Sequence, residues 1–146
     1  MITPTRIIEL DDQSKASALK RLCDTLGSCP EVQDSGIFYR SILKREELSS
    51  TGVGMGVGIP HVKIPEVTDY VMAVGRSFQG IDFQSHDGQP VYLIFLIGAS
   101  DRQTREFVRI LAGLTRLLKS ERNRRGLLEA SSPVEFIRLL REYEQA

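Results

Sequence analysis

His61 closes the most unusual stretch of this 146-residue chain, Thr51-Gly52-Val53-Gly54-Met55-Gly56-Val57-Gly58-Ile59-Pro60-His61. Glycine takes every second position from 52 to 58, so an extended backbone here has one face without side chains. Such a face admits a ligand or another backbone at close range, and it equally suits a β-bulge or a tight sheet corner. Gly56, Gly58 and Pro60 are the residues expected to shape the approach to His61, and the proline stiffens the backbone before it. Histidine in this setting has three chemistries: base, metal ligand or phosphoryl acceptor. Metal ligation lacks company, because the other histidine is His86, Cys23 and Cys29 lie far off in sequence, and no HxxxH or CxxC spacing occurs. A hydrolytic triad lacks its nucleophile elbow, since GxSxG is absent. A nucleotide loop is excluded: Val57, Ile59 and His61 occupy the third-glycine positions of GxGxxG, and no GxxxxGK[ST] occurs. Phosphoryl acceptance asks for less. It needs one nucleophilic ring nitrogen, the other fixed by a hydrogen bond, and donors or cations facing a group that stays negative. On residue types alone, a loop histidine with no chemistry remains the competing reading.

The elements that must hold this histidine follow from periodicity. Arg6–Leu10 reads as a short strand, and a helix over about 13–26 carries Leu19, Leu22, Cys23 and Leu26 at helical spacing, with Gly27 as its stop. A second helix over about 33–47 places Ile37, Phe38, Ser41 and Ile42 on one face. Tyr70–Val74 and Val91–Ile97 read as strands, the second apolar on both parities and therefore central and covered on both faces. Between them, 79–83 is a short extended piece and 87–90 a turn. Phe107, Ile110, Leu111, Leu114, Leu117 and Leu118 form the stripe of a long helix over about 102–119. Ser132-Pro133-Val134-Glu135 is a capping box that opens a last helix ending near 144. Helices, strands, then helices give an α/β class: one domain over 1–146, a mixed sheet of about five strands with helices on both faces.

Composition narrows the function classes. Lys+Arg and Asp+Glu are equal at 19 each, which argues against a general nucleic-acid binder. The segment 101–125 is locally basic through Arg102, Arg105, Arg109, Arg116, Lys119, Arg122, Arg124 and Arg125, and it is expected to form a solvated helix face. No run nears the ~20 apolar residues of a membrane span, and the N-terminus has no apolar signal region, so a cytoplasmic location is expected.

One longer block carries a family likeness: Ile42-Leu43-Lys44-Arg45-Glu46-Glu47-Leu48-Ser49-Ser50-Thr51 followed by the glycine run and Ile59-Pro60-His61. It resembles the LLxRExLxSTGxGxGxxIPH pattern of the enzyme IIA domain of the bacterial phosphoenolpyruvate-dependent phosphotransferase system, fructose/mannitol and nitrogen-regulatory type. The similarity continues through Gly80-Ile81-Asp82-Phe83 and Asp87-Gly88-Gln89-Pro90-Val91 into the long helix. The resemblance implies a mixed sheet flanked by helices. It also implies that His61 accepts a phosphoryl group from the phosphohistidine of the carrier HPr. Arg45 and Thr51 then match family positions beside that histidine and stabilise the phosphate. No metal or organic cofactor is implied. The phosphate would pass to a IIB component or serve as a regulatory signal, and with no IIB or IIC segment after residue 146 a free-standing domain is expected.

The chain departs from the family at one place. Members usually carry a second histidine early in the long helix, in an HL dipeptide packed near the acceptor; Glu106-Phe107 is expected to stand there. A carboxylate at Glu106 beside phosphohistidine would repel it or stabilise the imidazolium form. The alternative is therefore a regulatory protein-binding module with a degenerate site that transfers no phosphate.

Overall fold

The computed structural model describes residues 6–145. Nine-residue β6 (Val91–Ala99) forms its spine. On one side β6 pairs antiparallel with β5 (Val71–Ile81), which pairs parallel with β1 (Ile7–Glu9). On the other side it pairs parallel with both β3 (Val57–Gly58) and β4 (His61–Lys63), and β2 (Gly52–Gly54) closes a hairpin onto β3. The sheet is thus mixed and six-stranded, against about five expected. The glycine run itself supplies the additional short strands.

Side-chain alternation along β6 builds two cores. Leu93, Phe95, Ile97 and Ala99 join the core beneath α3 (Thr104–Leu118), α4 (Glu121–Glu129) and α5 (Pro133–Gln145). Ile94 and Leu96 join the other, beneath α1 (Lys15–Gly27) and α2 (Ser35–Leu48). Helices cover both faces, as a doubly apolar strand requires. Each helix of the first layer starts on a cap: Ser14 Oγ accepts from Ser17 N at 3.1 Å, and Asp34 Oδ1 from Ile37 N at 3.0 Å.

Two sequence expectations change. The strand expected over 70–74 and the extended piece at 79–83 are largely one strand, because polar Arg76 and Ser77 are buried within it. Gly75 permits this: a Cβ there would lie 2.4 Å from Leu10 Cδ1. The basic residues beyond the expected long helix, expected on its solvated face, belong to a further helix, α4, capped by Ser120 Oγ accepting from Asn123 N at 3.2 Å. Its weak apolar pattern, with Leu127 as the one buried residue, left no stripe to read.

Cys23 sits in the α1 core, and burial pushes its thiol from an ordinary 9.0 up to about 12. The folded chain therefore resists forming the thiolate that the unfolded chain forms freely. Stability intact below pH ~9 should fall as pH rises toward 12, and Cys23 should react with iodoacetamide at pH 8 only when the chain unfolds. Mass spectrometry of alkylated native protein checks this: rapid modification of Cys23 would contradict its burial.

Candidate functional site

His61 opens β4, and its register partner on β6 is Ile97. Paired residues of adjacent strands share a face, so the imidazole lies on the α3 side of the sheet, in one row with Ile97 and Ile97's β5 partner Met72. The preceding residues are fastened: Ile59 N donates to Thr51 O at 3.0 Å, and Ile97 N donates to Pro60 O at 2.9 Å. His61 Nδ1 lies 2.6 Å from the carbonyl oxygen of Ile59. A carbonyl only accepts, so Nδ1 carries the proton and the lone pair of the neutral ring sits on Nε2. The half-buried ring is thus fixed in the tautomer whose free nitrogen is Nε2.

From α3 the residue that meets the imidazole is Phe107, with ring centroids 5.5 Å apart and planes inclined by 55°. Glu106, expected at the site-facing edge, is exposed. The cause is helix phase. Phe107 heads the buried stripe and faces the sheet, while a residue one position earlier is turned about 100° away. Lys63 Nζ donates to Thr104 Oγ1 at 2.8 Å, which ties β4 to the first turn of α3. Sequence reasoning placed Phe107 in the core stripe and missed its second role. The signal was available: it is the first residue of that stripe, at the open end of the helix.

The glycines answer to packing rather than to a bare approach face. A Cβ on Gly52 would lie 2.1 Å from Ser85 Oγ, one on Gly58 2.9 Å from the Phe83 ring, and one on Gly56 3.0 Å from the Tyr92 ring. Gly54, Met55 and Gly56 all adopt positive φ, at 88°, 61° and 74°, and turn the chain from β2 into β3. The run is a tight sheet corner, and side chains occupy the space its glycines vacate. Gly56 and Gly58 let the strand that leads to His61 lie against Tyr92 and Phe83.

Arg45 is half-buried in the last turn of α2 and donates through Nη1 to Ser49 O at 3.0 Å. Thr51 is buried, with its N–H 3.0 Å from Glu46 Oε2 and its hydroxyl donating to Glu46 Oε1 at 2.9 Å. Glu46 in turn pairs with Lys15 Nζ at 3.1 Å, and that ammonium stands 4.4 Å from the centroid of the Phe83 ring. This buried carboxylate is satisfied from three sides and anchors the loop that carries the histidine. Sequence reasoning gave Glu46 no role, because burial of an acid in a charged run is decided only by the fold.

The basic segment is also more engaged than expected. Arg124 Nη1 donates to Leu118 O at 2.7 Å and Lys119 O at 3.0 Å, capping the end of α3.

The sequence over residues 1–143 matches the family model "Phosphoenolpyruvate-dependent sugar phosphotransferase system, EIIA 2". A fructose-specific EIIA component from Haloferax volcanii is 37% identical over 133 residues, covering 90% of this chain and 86% of that protein. A fructose-specific EIIABC component from Bacillus subtilis is 33% identical over 94% of this chain, which spans only 22% of that longer protein. A nitrogen regulatory protein from Bradyrhizobium diazoefficiens is 34% identical, covering 83% of this chain and 79% of that protein. Among solved structures, the nitrogen regulatory protein IIA-Ntr of Neisseria meningitidis matches with a TM-score of 0.89 at 27% identity, covering 94% of each chain. The mannitol IIA of Escherichia coli shares the fold, with a TM-score of 0.82 at 19% identity over 96% of this chain and 99% of that one. With an α/β fold of this type, a fixed histidine at the end of its glycine corner and a match over nearly its whole length, the chain belongs to the EIIA type 2 family of the phosphoenolpyruvate-dependent sugar phosphotransferase system.

Proposed function

We propose that this chain is a phosphocarrier whose His61 accepts a phosphoryl group from a phosphohistidine of an HPr-like protein. The observation that carries the reading is the Nδ1–Ile59 hydrogen bond, which leaves Nε2 as the nucleophile. Nε2 attacks phosphorus in line as the donor's P–N bond breaks, and the donor imidazole leaves with the electron pair. The His61 ring then bears Nδ1–H and Nε2–P together and is formally cationic. The Ile59 carbonyl, already in place, stabilises that charge without reorganising. Arg45 uses one donor on Ser49 and keeps others for the phosphoryl oxygens; Thr51 supports the acceptor loop through Glu46. No step calls for a metal or an organic cofactor. The phosphate is then passed to a IIB component, or its presence is the signal. A complex of mannitol IIA with phosphorylated IIB is known for the Escherichia coli proteins, and the present chain shares the fold of the IIA partner. A cytoplasmic location goes with such a role, and none of the described helices is long and apolar enough to cross a membrane.

The second reading, a regulatory module that binds protein partners without transferring phosphate, draws on Phe107. An apolar ring beside His61 offers no hydrogen bond to a bound phosphoryl group. The test is incubation with phosphoenolpyruvate, enzyme I and HPr, followed by assay for acid-labile phosphate. Phe107→His should raise the rate by about two- to tenfold, the worth of up to ~1.4 kcal/mol from one added charge-assisted hydrogen bond. Glu106→His, on the exposed side, should change nothing. Equal effects of the two substitutions would refute the facing assigned to Phe107.

A further inference from the structure

A cavity of about 490 Å³, within the range of small-molecule sites, opens between the β5–β6 end of the sheet, α3 and α5. Its floor is apolar: Met72, Ile97, Ile110 and Leu140. Met72 and Ile97 are the two residues that continue the row ending in His61, so the cavity floor lies one strand from the phosphoacceptor face.

Two features of α3 bear on what fits there. Arg109 and Arg116, two turns apart on the rim, are exposed, and neither guanidinium makes an ion pair or hydrogen bond with another described residue. By contrast Arg76 and Arg124 are committed to helix carbonyls, and Arg125 and Arg138 to carboxylates. Gly113, between the two, lines the same cavity. A Cβ there would meet only the flexible end of Arg116, at 4.0 Å, so neither packing nor backbone conformation demands glycine. A mid-helix glycine weakens the helix. Its physical consequence here is a wider mouth between the two cations.

We propose that this cavity binds an amphipathic monoanion, a carboxylate with an apolar chain, whose tail lies over Met72 and Ile97 and whose head meets Arg109 and Arg116. Glu144 on the opposite rim limits the charge the mouth accepts, which favours one negative charge over two. The site is separate from the proposed HPr chemistry, and its test uses unphosphorylated protein, so failure here leaves the reading of His61 standing.

The experiment titrates octanoate, octanamide and inorganic phosphate into protein carrying ¹³C-methyl methionine. Octanoate should shift the Met72 methyl resonance saturably, leaving Met55, on the distant β2–β3 turn, unmoved. Octanamide should bind at least about tenfold more weakly, and phosphate should give no Met72 shift. Arg109→Gln/Arg116→Gln should weaken octanoate at least about tenfold, and Gly113→Leu should abolish the shift by filling the mouth. If Gly113→Leu fails to fold, the arginine variant decides alone. No saturable shift, equal binding of octanamide, or unchanged affinity in the arginine variant would overturn the proposal.

Discussion

His61→Ala should take up no measurable phosphate from phospho-HPr, a loss of at least roughly 10³-fold, or more than ~4 kcal/mol of barrier stabilisation. Alanine removes the nucleophile itself, and nothing else near the site replaces it. The effect should be chemical, not structural. His61 is half-buried, its ring bonds to a carbonyl two residues away, and its packing partner Phe107 stays held by its own core. The folded ¹⁵N spectrum of the variant should therefore match the native one outside β4 and the first turn of α3. His86→Ala is the control. That residue is exposed in the turn before Asp87, and its removal should leave labelling unchanged. Phosphate recovered on His86, or undiminished labelling of His61→Ala, would end the phosphocarrier reading.

Arg76→Met should cost about 3–5 kcal/mol of stability, the largest structural effect expected of a single side chain here. Arg76 is 4% exposed, and its guanidinium donates to Leu127 O at 3.0 Å, Leu128 O at 3.2 Å and Ala130 O at 2.9 Å, with Glu9 as its counter-ion. Those carbonyls end α4, where a helix leaves acceptors without partners and its dipole is negative. Methionine fills similar volume but donates nothing, so the buried Leu127 and Ala130 carbonyls and the partly buried Leu128 carbonyl lose their donor together. Helix α4 then keeps Leu127 as its buried side chain, together with the Ser120 cap and the Arg124 bonds to the end of α3. Glu9, about half exposed, can be hydrated and adds little to the loss. Arg76→Lys should recover only part of the stability, since one ammonium does not span three carbonyls and a carboxylate at once. Urea denaturation of the three proteins measures this. A Met variant within ~1 kcal/mol of native would show that α4 is held by other contacts.

What the chain alone determined is what repeats along it. Period 3.6 placed α1, α2 and α3 within one or two residues, because each buries a stripe such as Leu19, Leu22, Cys23 and Leu26, and the capping box at Ser132 placed α5. The unbroken apolar run of β6 announced a strand covered on both faces. The block from Arg45 to His61 was specific enough to bring the family into view before any coordinate did. The tertiary structure decided whatever depends on partners distant in sequence. Glycines 52 and 58 exist for Ser85 and Phe83, Arg76 for the end of α4, and Glu46 for Lys15 and Thr51. None of these leaves a local pattern, since a buried polar group is tolerated only because a remote donor or acceptor meets it. The placing of Phe107 against His61 lies between the two. The apolar stripe already turned Phe107 inward, one residue or about 100° of rotation from Glu106, but only the seating of α3 on the sheet decided that the ring it meets is His61.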